Sequence, residues 1–194
     1  MKKTLYLMRH GQTLFNQLHK IQGWCDSPLT EIGIAQAKIA AKYFQDQGIT
    51  FDAAYCSTLE RTSDTLELVT DLPYRRLKGL KEWNFGRFEG EPEFLNPKLP
   101  YGDFFVPYGG EAEMAFRKRM VDTVEQMMRE TSGRTVLAVS HGASCRHFER
   151  HWTHTTKLEA NKISNCCILK FIYHEDETFE LVDVINHDFS ELEA

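Results

Sequence analysis

The sequence predicts an α/β fold, a three-layer α/β/α sandwich around a mostly parallel central sheet. Two observations predict it. Short apolar runs alternate with helix-patterned segments along the body of the chain, the rhythm of β-α-β units. Two of the runs stop at a histidine-glycine pair, His10-Gly11 and His141-Gly142. An apolar run ended in this way suits a buried parallel strand that delivers its last residues to the carboxyl edge of the sheet, where open α/β sheets bind ligands. The length of 194 residues suits one domain, residues 1–194, with a full core.

The elements follow in order. Residues 5–9 form the first strand, and Arg9 and His10 stand at its end. Together such residues can hold a dianion and attack it; a capped strand end with an ordinary surface histidine fits this stretch equally well. A polar loop, 12–27, contains Asn16. Thr30 is the N-cap of the next helix, where Ile32, Ala35, Ile39, Ala40, Tyr43 and Phe44 recur at helical spacing, and Gly48 stops it. Residues 51–55 are a second strand. Ser57-x-x-Glu60 is a capping-box pattern, so a helix starts near Thr58 with Arg61 in or near its first turn. An arginine beside a helix N-terminus makes an anion site.

A short strand at 74–77 leads to a loop, 80–90, in which glycines and large aromatics alternate with carboxylates. Residues 91–110 hold four of the six prolines with Phe94, Tyr101, Phe104, Phe105 and Tyr108. This segment is no regular element, and its aromatics favour a lid that covers substrate. A long helix over 111–131 places Phe116, Met120, Val124, Met127 and Met128 on one face, as core. Thr135–Ser140 is the clearest strand, followed by a helix and then by two strands, 165–172 and 179–185, in a hairpin. The tail beyond Asp188 is acidic and reads as loose.

Composition narrows the function. The chain is 42% apolar and 26% charged, ordinary for a soluble globular protein. A net charge of −5 argues against nucleic acid and anionic membranes as partners, though not against a small anionic substrate. Five cysteines without a C-x-x-C pair read as reduced thiols, and the N-terminus turns polar too quickly for a signal peptide, so a cytoplasmic location is expected. No apolar run approaches the ~20 residues of a membrane span.

The motifs together resemble the histidine phosphatase superfamily, the phosphoglycerate mutase-like group, over most of the chain. The matching blocks are Arg9-His10-Gly11-x-Thr13-x-x-Asn16 with Gly23-Trp24-x-Asp26 and Leu29-Thr30-x-x-Gly33-x-x-Gln36-Ala37, then Ser57-x-Leu59-x-Arg61-Thr62, Leu80-x-Glu82-x-x-x-Gly86-x-x-Glu89-Gly90, Gly110-Glu111 and Val139-Ser140-His141-Gly142. The resemblance implies that fold and a metal-independent phosphatase without a cofactor, acting on a small phosphorylated metabolite. It implies that His10 attacks phosphorus and becomes a phosphohistidine. Arg9, Arg61 and Asn16 would hold the phosphoryl oxygens, and His141 would donate to one of them in the transition state. Glu82 would protonate the leaving alkoxide and then take a proton from water. Glu89 and Glu91 compete with Glu82 for that role. Asp26 and Glu111 are expected to fix loops. His147, His151 and His154 are expected on a solvated helix face, since no cysteine or carboxylate pattern nearby makes them a zinc site.

Rival chemistries lack their motifs. Cys56 and Arg61 miss a cysteine phosphatase's spacing by one residue, no Asp-x-Asp follows the first strand, and no Gly-x-Ser-x-Gly surrounds Ser140. The runner-up is a cofactor-dependent mutase, which the resemblance expects to carry an arginine directly after the catalytic glutamate and further basic residues beyond it. Here Trp83 follows Glu82, only Lys98 is basic between Gly90 and Gly110, and Arg87 is the other cation nearby. A third reading is a non-catalytic interaction protein on the same fold.

Overall fold

The computed structural model describes residues 2–155 and 158–192. In chain order its elements are β1 (Lys3–Arg9), α1 (Leu14–Gln17), α2 (Glu31–Asp46), β2 (Ala53–Cys56), α3 (Glu60–Val69), β3 (Tyr74–Arg76), α4 (Glu113–Glu130), β4 (Thr135–Ser140), α5 (Gly142–His151), β5 (Ile168–Tyr173) and β6 (Phe179–Ile185). They build one six-stranded sheet in the order β3-β2-β4-β1-β5-β6. The pairings among β3, β2, β4 and β1 are parallel, and β5 and β6 add an antiparallel flank.

Both faces of the central strands are covered, which is why those strands read as unbroken apolar runs. Leu5, Leu7, Val136 and Ala138 face one way and pack with Met120, Val124, Met128 and Phe148 of α4 and α5. Their alternates Tyr6, Met8, Leu137 and Val139 face the other way, onto Ala37, Ala40, Phe44 and Leu66 of α2 and α3. The result is the expected three-layer sandwich. Each fully buried large apolar side chain in it contributes roughly 1.5–3 kcal/mol through the hydrophobic effect. Among the described residues, no helix is long and apolar enough to cross a membrane.

Local structure departs from the sequence reading at several places. Thr30 caps α2 as expected, its side chain accepting from the Gly33 N–H. The expected capping box at Ser57 does not form: α3 begins at Glu60 behind Leu59, with no side-chain cap. The loop over 12–27 contains the one-turn helix α1, whose capping box is Thr13 with Asn16. The strand expected over 165–172 starts later, at Ile168. At the tail, a single turn spans Ser190–Leu192, and residues 193–194 lie outside the described residues.

Residues 91–110 contain only single turns of 3-10 helix, at Glu93–Leu95 and Val106–Tyr108. They are nonetheless packed. Phe105 is fully buried and joins Trp83, Phe85, Phe116 and Ile21 in a separate small core. Its ring sits 4.9 Å from that of Phe85 and 5.5 Å from that of Tyr101, both edge-on.

His147 corrects an expectation. It lies on α5 but is 5% exposed, packed edge-on against Trp83 and Phe116, while His151 and His154 are exposed. Burial, then the nearby Arg117, Arg150 and Arg146, lower its pKa to about 4. An imidazole so depressed stabilises the fold fully above the unfolded value of ~6.5, and that contribution is lost as pH falls from there toward about 4. The loss amounts to on the order of 3 kcal/mol. The melting temperature of the wild type should therefore drop between pH 7 and pH 4, and that of His147→Gln should drop less.

Candidate active site

The site begins with strand register. β1 and β4 are adjacent and parallel, with Arg9 opposite Ser140, so the next residues, His10 and His141, leave the sheet side by side. The His10 N–H donates to the Ser140 carbonyl at 3.0 Å. The two imidazoles then meet with centroids 5.3 Å apart and planes at 63°. Gly11 is required next: a Cβ there would stand 2.5 Å from the Gly33 carbonyl oxygen, where the start of α2 crosses the loop.

Both histidines are buried, His10 at 4% exposure and His141 at 0%. Burial, followed by Arg61 and Arg9, pushes the pKa of His10 well below the usual histidine value. For His141 the causes are burial, Arg61, His10 and Arg9 in that order, and the direction is the same. Both rings are therefore neutral at pH 7, with one N–H each. In His10, Nδ1 lies 2.7 Å from the Gly11 carbonyl oxygen, which only accepts. The proton thus sits on Nδ1, and Nε2 keeps its lone pair.

Arg61 is fully buried on the first turn of α3. Its Nη1 donates to the Cys25 carbonyl and to Asp26 Oδ1, and its Nη2 to the Gly23 carbonyl. Asp26 therefore fixes this loop, and it also accepts from the Glu60 N–H. Three of the five donors of Arg61 are engaged in this way, which leaves Nε and one Nη2 proton. Arg9 donates from Nη1 to the Ile163 carbonyl at 2.9 Å. Arg9 Nε, Arg61 Nε and His141 Nδ1 are buried and have no hydrogen-bond partner among the described residues. Such atoms cost free energy until an acceptor reaches them.

Glu82 is 6% exposed and acts as the missing cap of α5. Its Oε1 accepts from the N–H groups of Trp83 and Ser144 and from Ser144 Oγ. Its Oε2 accepts only from the Ala143 N–H, at 2.9 Å. The loop carrying it is clamped by Arg119, which donates to the carbonyls of Gly79, Lys81 and Glu82 and pairs with Glu111. Glu89 has a different environment. Its carboxylate accepts from four backbone N–H groups, those of Gly23, Trp24, Cys25 and Phe85, and so organises the turn. Glu91 is exposed.

A cavity of about 220 Å³ lies over the site. Arg9, His10, Asn16 and Glu82 line it; His141 and Arg61, both fully buried, are not among its lining residues. Among the described residues, no cluster of three or more His, Cys, Asp or Glu has the arrangement of a metal site.

Residues 5–186 match the family model of the histidine phosphatase superfamily, branch 1. The chain belongs to that superfamily. It is 35% identical to a probable phosphoglycerate mutase GpmB of Yersinia pestis over 150 residues, which cover 71% of this chain and 69% of the relative. Among solved structures it resembles a phosphoglycerate mutase from Bacillus anthracis, with a TM-score of 0.82, 25% identity and coverage of 99% and 96%. It also resembles a phosphoserine phosphatase from Entamoeba histolytica, solved with 3-phosphoglyceric acid, with a TM-score of 0.74, 27% identity and coverage of 96% and 98%. Phosphatases and mutases thus both stand among the proteins that this chain resembles.

Of the other residues of the cavity, Lys20 and Gln22 carried no signal in the sequence, whereas Glu93, Asn96 and Tyr101 belong to the 91–110 segment read as a lid. Lys20, Gln22, Glu93, Asn96 and Tyr101 form its outer wall. Arg87 and Lys98, the cations singled out near Glu82, are exposed and line no part of it. Asn165, just before β5, donates to the His10 carbonyl and to Asn16 Oδ1. The Thr13 N–H donates to that same Oδ1 at 3.2 Å, so Asn16 is held from both sides with its amide nitrogen at the cavity.

Proposed function

We propose that this member of the histidine phosphatase superfamily hydrolyses a small phosphomonoester through a phosphohistidine on His10. The observation that carries the reading is the buried His10, its Nδ1 2.7 Å from the Gly11 carbonyl oxygen and its Nε2 therefore left with the lone pair, beside three buried nitrogens that have no partner among the described residues. A phosphoryl group supplies the oxygens those nitrogens lack. Arg9 and Arg61 neutralise its charge, which is the role a metal takes elsewhere, and Asn16 adds a neutral donor.

In the first step His10 Nε2 forms a bond to phosphorus as the bond to the alcohol oxygen breaks. Glu82 gives the leaving oxygen a proton, and His141 donates to an equatorial oxygen. The acid proton belongs on Oε2, because Oε1 already accepts two backbone hydrogen bonds and Oε2 one. In the second step water attacks phosphorus, Glu82 takes its proton, and the P–N bond returns its electron pair to His10. A cavity of about 220 Å³ is below the ~300–1,000 Å³ of common ligand pockets, which suits a metabolite rather than a phosphopeptide. The five cysteines are free, which suits the reducing cytoplasm.

A second reading, phosphoglycerate mutase-type transfer, is favoured by the names of the relatives. Against it stands the outer wall, where Lys20 is the single cation and Glu93 sits on the same wall, a poor match to a second phosphate. The purified protein should release phosphate from p-nitrophenyl phosphate and from members of a phosphorylated-metabolite panel faster than it interconverts phosphoglycerates primed with bisphosphoglycerate. Interconversion outpacing release would reverse the choice. No turnover on either would leave the interaction-protein reading standing.

A further inference from the structure

We propose that Ser57 is a positioning residue that fixes which nitrogen of His141 carries the proton. The proposal rests on the role given above to His141. Ser57 follows the last residue of β2 and is fully buried, as is His141. Its hydroxyl oxygen lies 2.8 Å from His141 Nε2. The same oxygen accepts from the Leu59 N–H at 3.1 Å and lies 2.9 Å from Thr62 Oγ1. The motif that reads as a helix cap therefore joins the end of β2 and the start of α3 to the second histidine.

A neutral imidazole has one N–H, and its place decides the chemistry. With the proton on Nε2, Nδ1 would turn a lone pair toward the phosphoryl oxygens and repel them. With the proton on Nδ1, the ring donates to an oxygen as charge builds there. A serine hydroxyl has one proton and two lone pairs. The Leu59 N–H takes one of these lone pairs, and for His141 to donate from Nδ1, as its role requires, Nε2 must accept the Ser57 proton. The proton of His141 is then on Nδ1, the atom that has no partner among the described residues. The single proton of Thr62 faces the carbonyls of Leu59 at 2.7 Å and Ser57 at 3.2 Å, so Thr62 is held by its own turn and does not set the direction of the Ser57 hydroxyl.

The test is a double-mutant cycle on p-nitrophenyl phosphate, with melting temperatures measured alongside. Ser57→Ala should lower kcat by about 10- to 100-fold with KM changed less than about 3-fold, because the lost contact acts in the transition state. In a His141→Ala background the same substitution should change kcat by less than about 2-fold, since the residue it positions is gone. Ser57→Thr, which keeps the hydroxyl, should recover most of the rate. Nitrogen-15 spectra of the vanadate-bound enzyme should place the His141 proton on Nδ1 in the wild type and show a mixture of tautomers in Ser57→Ala. Should Ser57→Ala not fold, Ser57→Cys, of similar volume and with a much weaker donor, is read in the same cycle, with a loss of about 3- to 10-fold expected. Equal losses in both backgrounds, or a wild-type kcat in folded Ser57→Ala, would overturn the role of Ser57. A wild-type kcat in His141→Ala would instead overturn the role of His141, and the proposal with it.

Discussion

Replacing His10 with alanine is expected to lower turnover by on the order of 10⁴- to 10⁶-fold, the range seen when a nucleophile that works as part of a unit is removed. No substitute stands nearby. Cys25 beside Arg61, and Cys145 and Cys166 beside Arg9, are thiols whose pKa values burial pushes up, so they are protonated and inert at neutral pH. The covalent intermediate gives a second readout. Wild-type protein quenched during turnover should carry a phosphoryl group that is labile in acid and stable in base, as a phosphoramidate is. His10→Ala should carry none. Undiminished labelling of His10→Ala would remove His10 from the role. Loss of turnover together with a lowered melting temperature would point to misfolding, which His10→Gln, with its similar volume, separates from lost chemistry.

Glu82→Gln should show the second large effect, and it should depend on the leaving group. An alkyl alkoxide leaves poorly without a proton, so the loss on an alkyl phosphate should reach about 10²- to 10⁴-fold. The phenolate of p-nitrophenyl phosphate departs with little help, and the loss there should stay within about 10-fold. The amide can still occupy the position of Oε1, although one of its groups will meet a backbone N–H as a donor, so a modest loss of stability is expected. Glu89→Gln should lack the leaving-group dependence, because that carboxylate binds four backbone N–H groups of the 23–25 turn and Phe85. Its loss should appear in the melting temperature instead. Equal losses on both substrates for Glu82→Gln would mean that another group is the acid.

Much of the fold was legible in local pattern. Strand and helix types follow from residue spacing, and the unbroken apolar runs of β1 and β4 announce strands covered on both faces. Thr30 as an N-cap and the methionines of α4 as core were also readable, since capping and helical periodicity depend on residues a few positions apart. Ser57 and His147 were misread for the complementary reason. A capping pattern specifies a local hydrogen bond, but the Ser57 hydroxyl found His141, 84 residues away. The sequence around His147 does not say that Trp83 and Phe116 will cover it.

The sequence by itself therefore determined the chemical inventory: an arginine and a histidine at the end of one strand, a second histidine at the end of another, an arginine at a helix start and a carboxylate in an aromatic loop. Only the tertiary structure decided how these act together. The in-register pairing of β1 with β4 sets His10 beside His141. Burial next to Arg61 and Arg9 makes both rings neutral. The Gly11 carbonyl chooses the unprotonated nitrogen of His10, and the start of α5 separates Glu82 from Glu89 by giving only the first a place at the cavity. Protonation and proximity depend on what lies within a few ångströms in space, and residues far apart in the chain supply it.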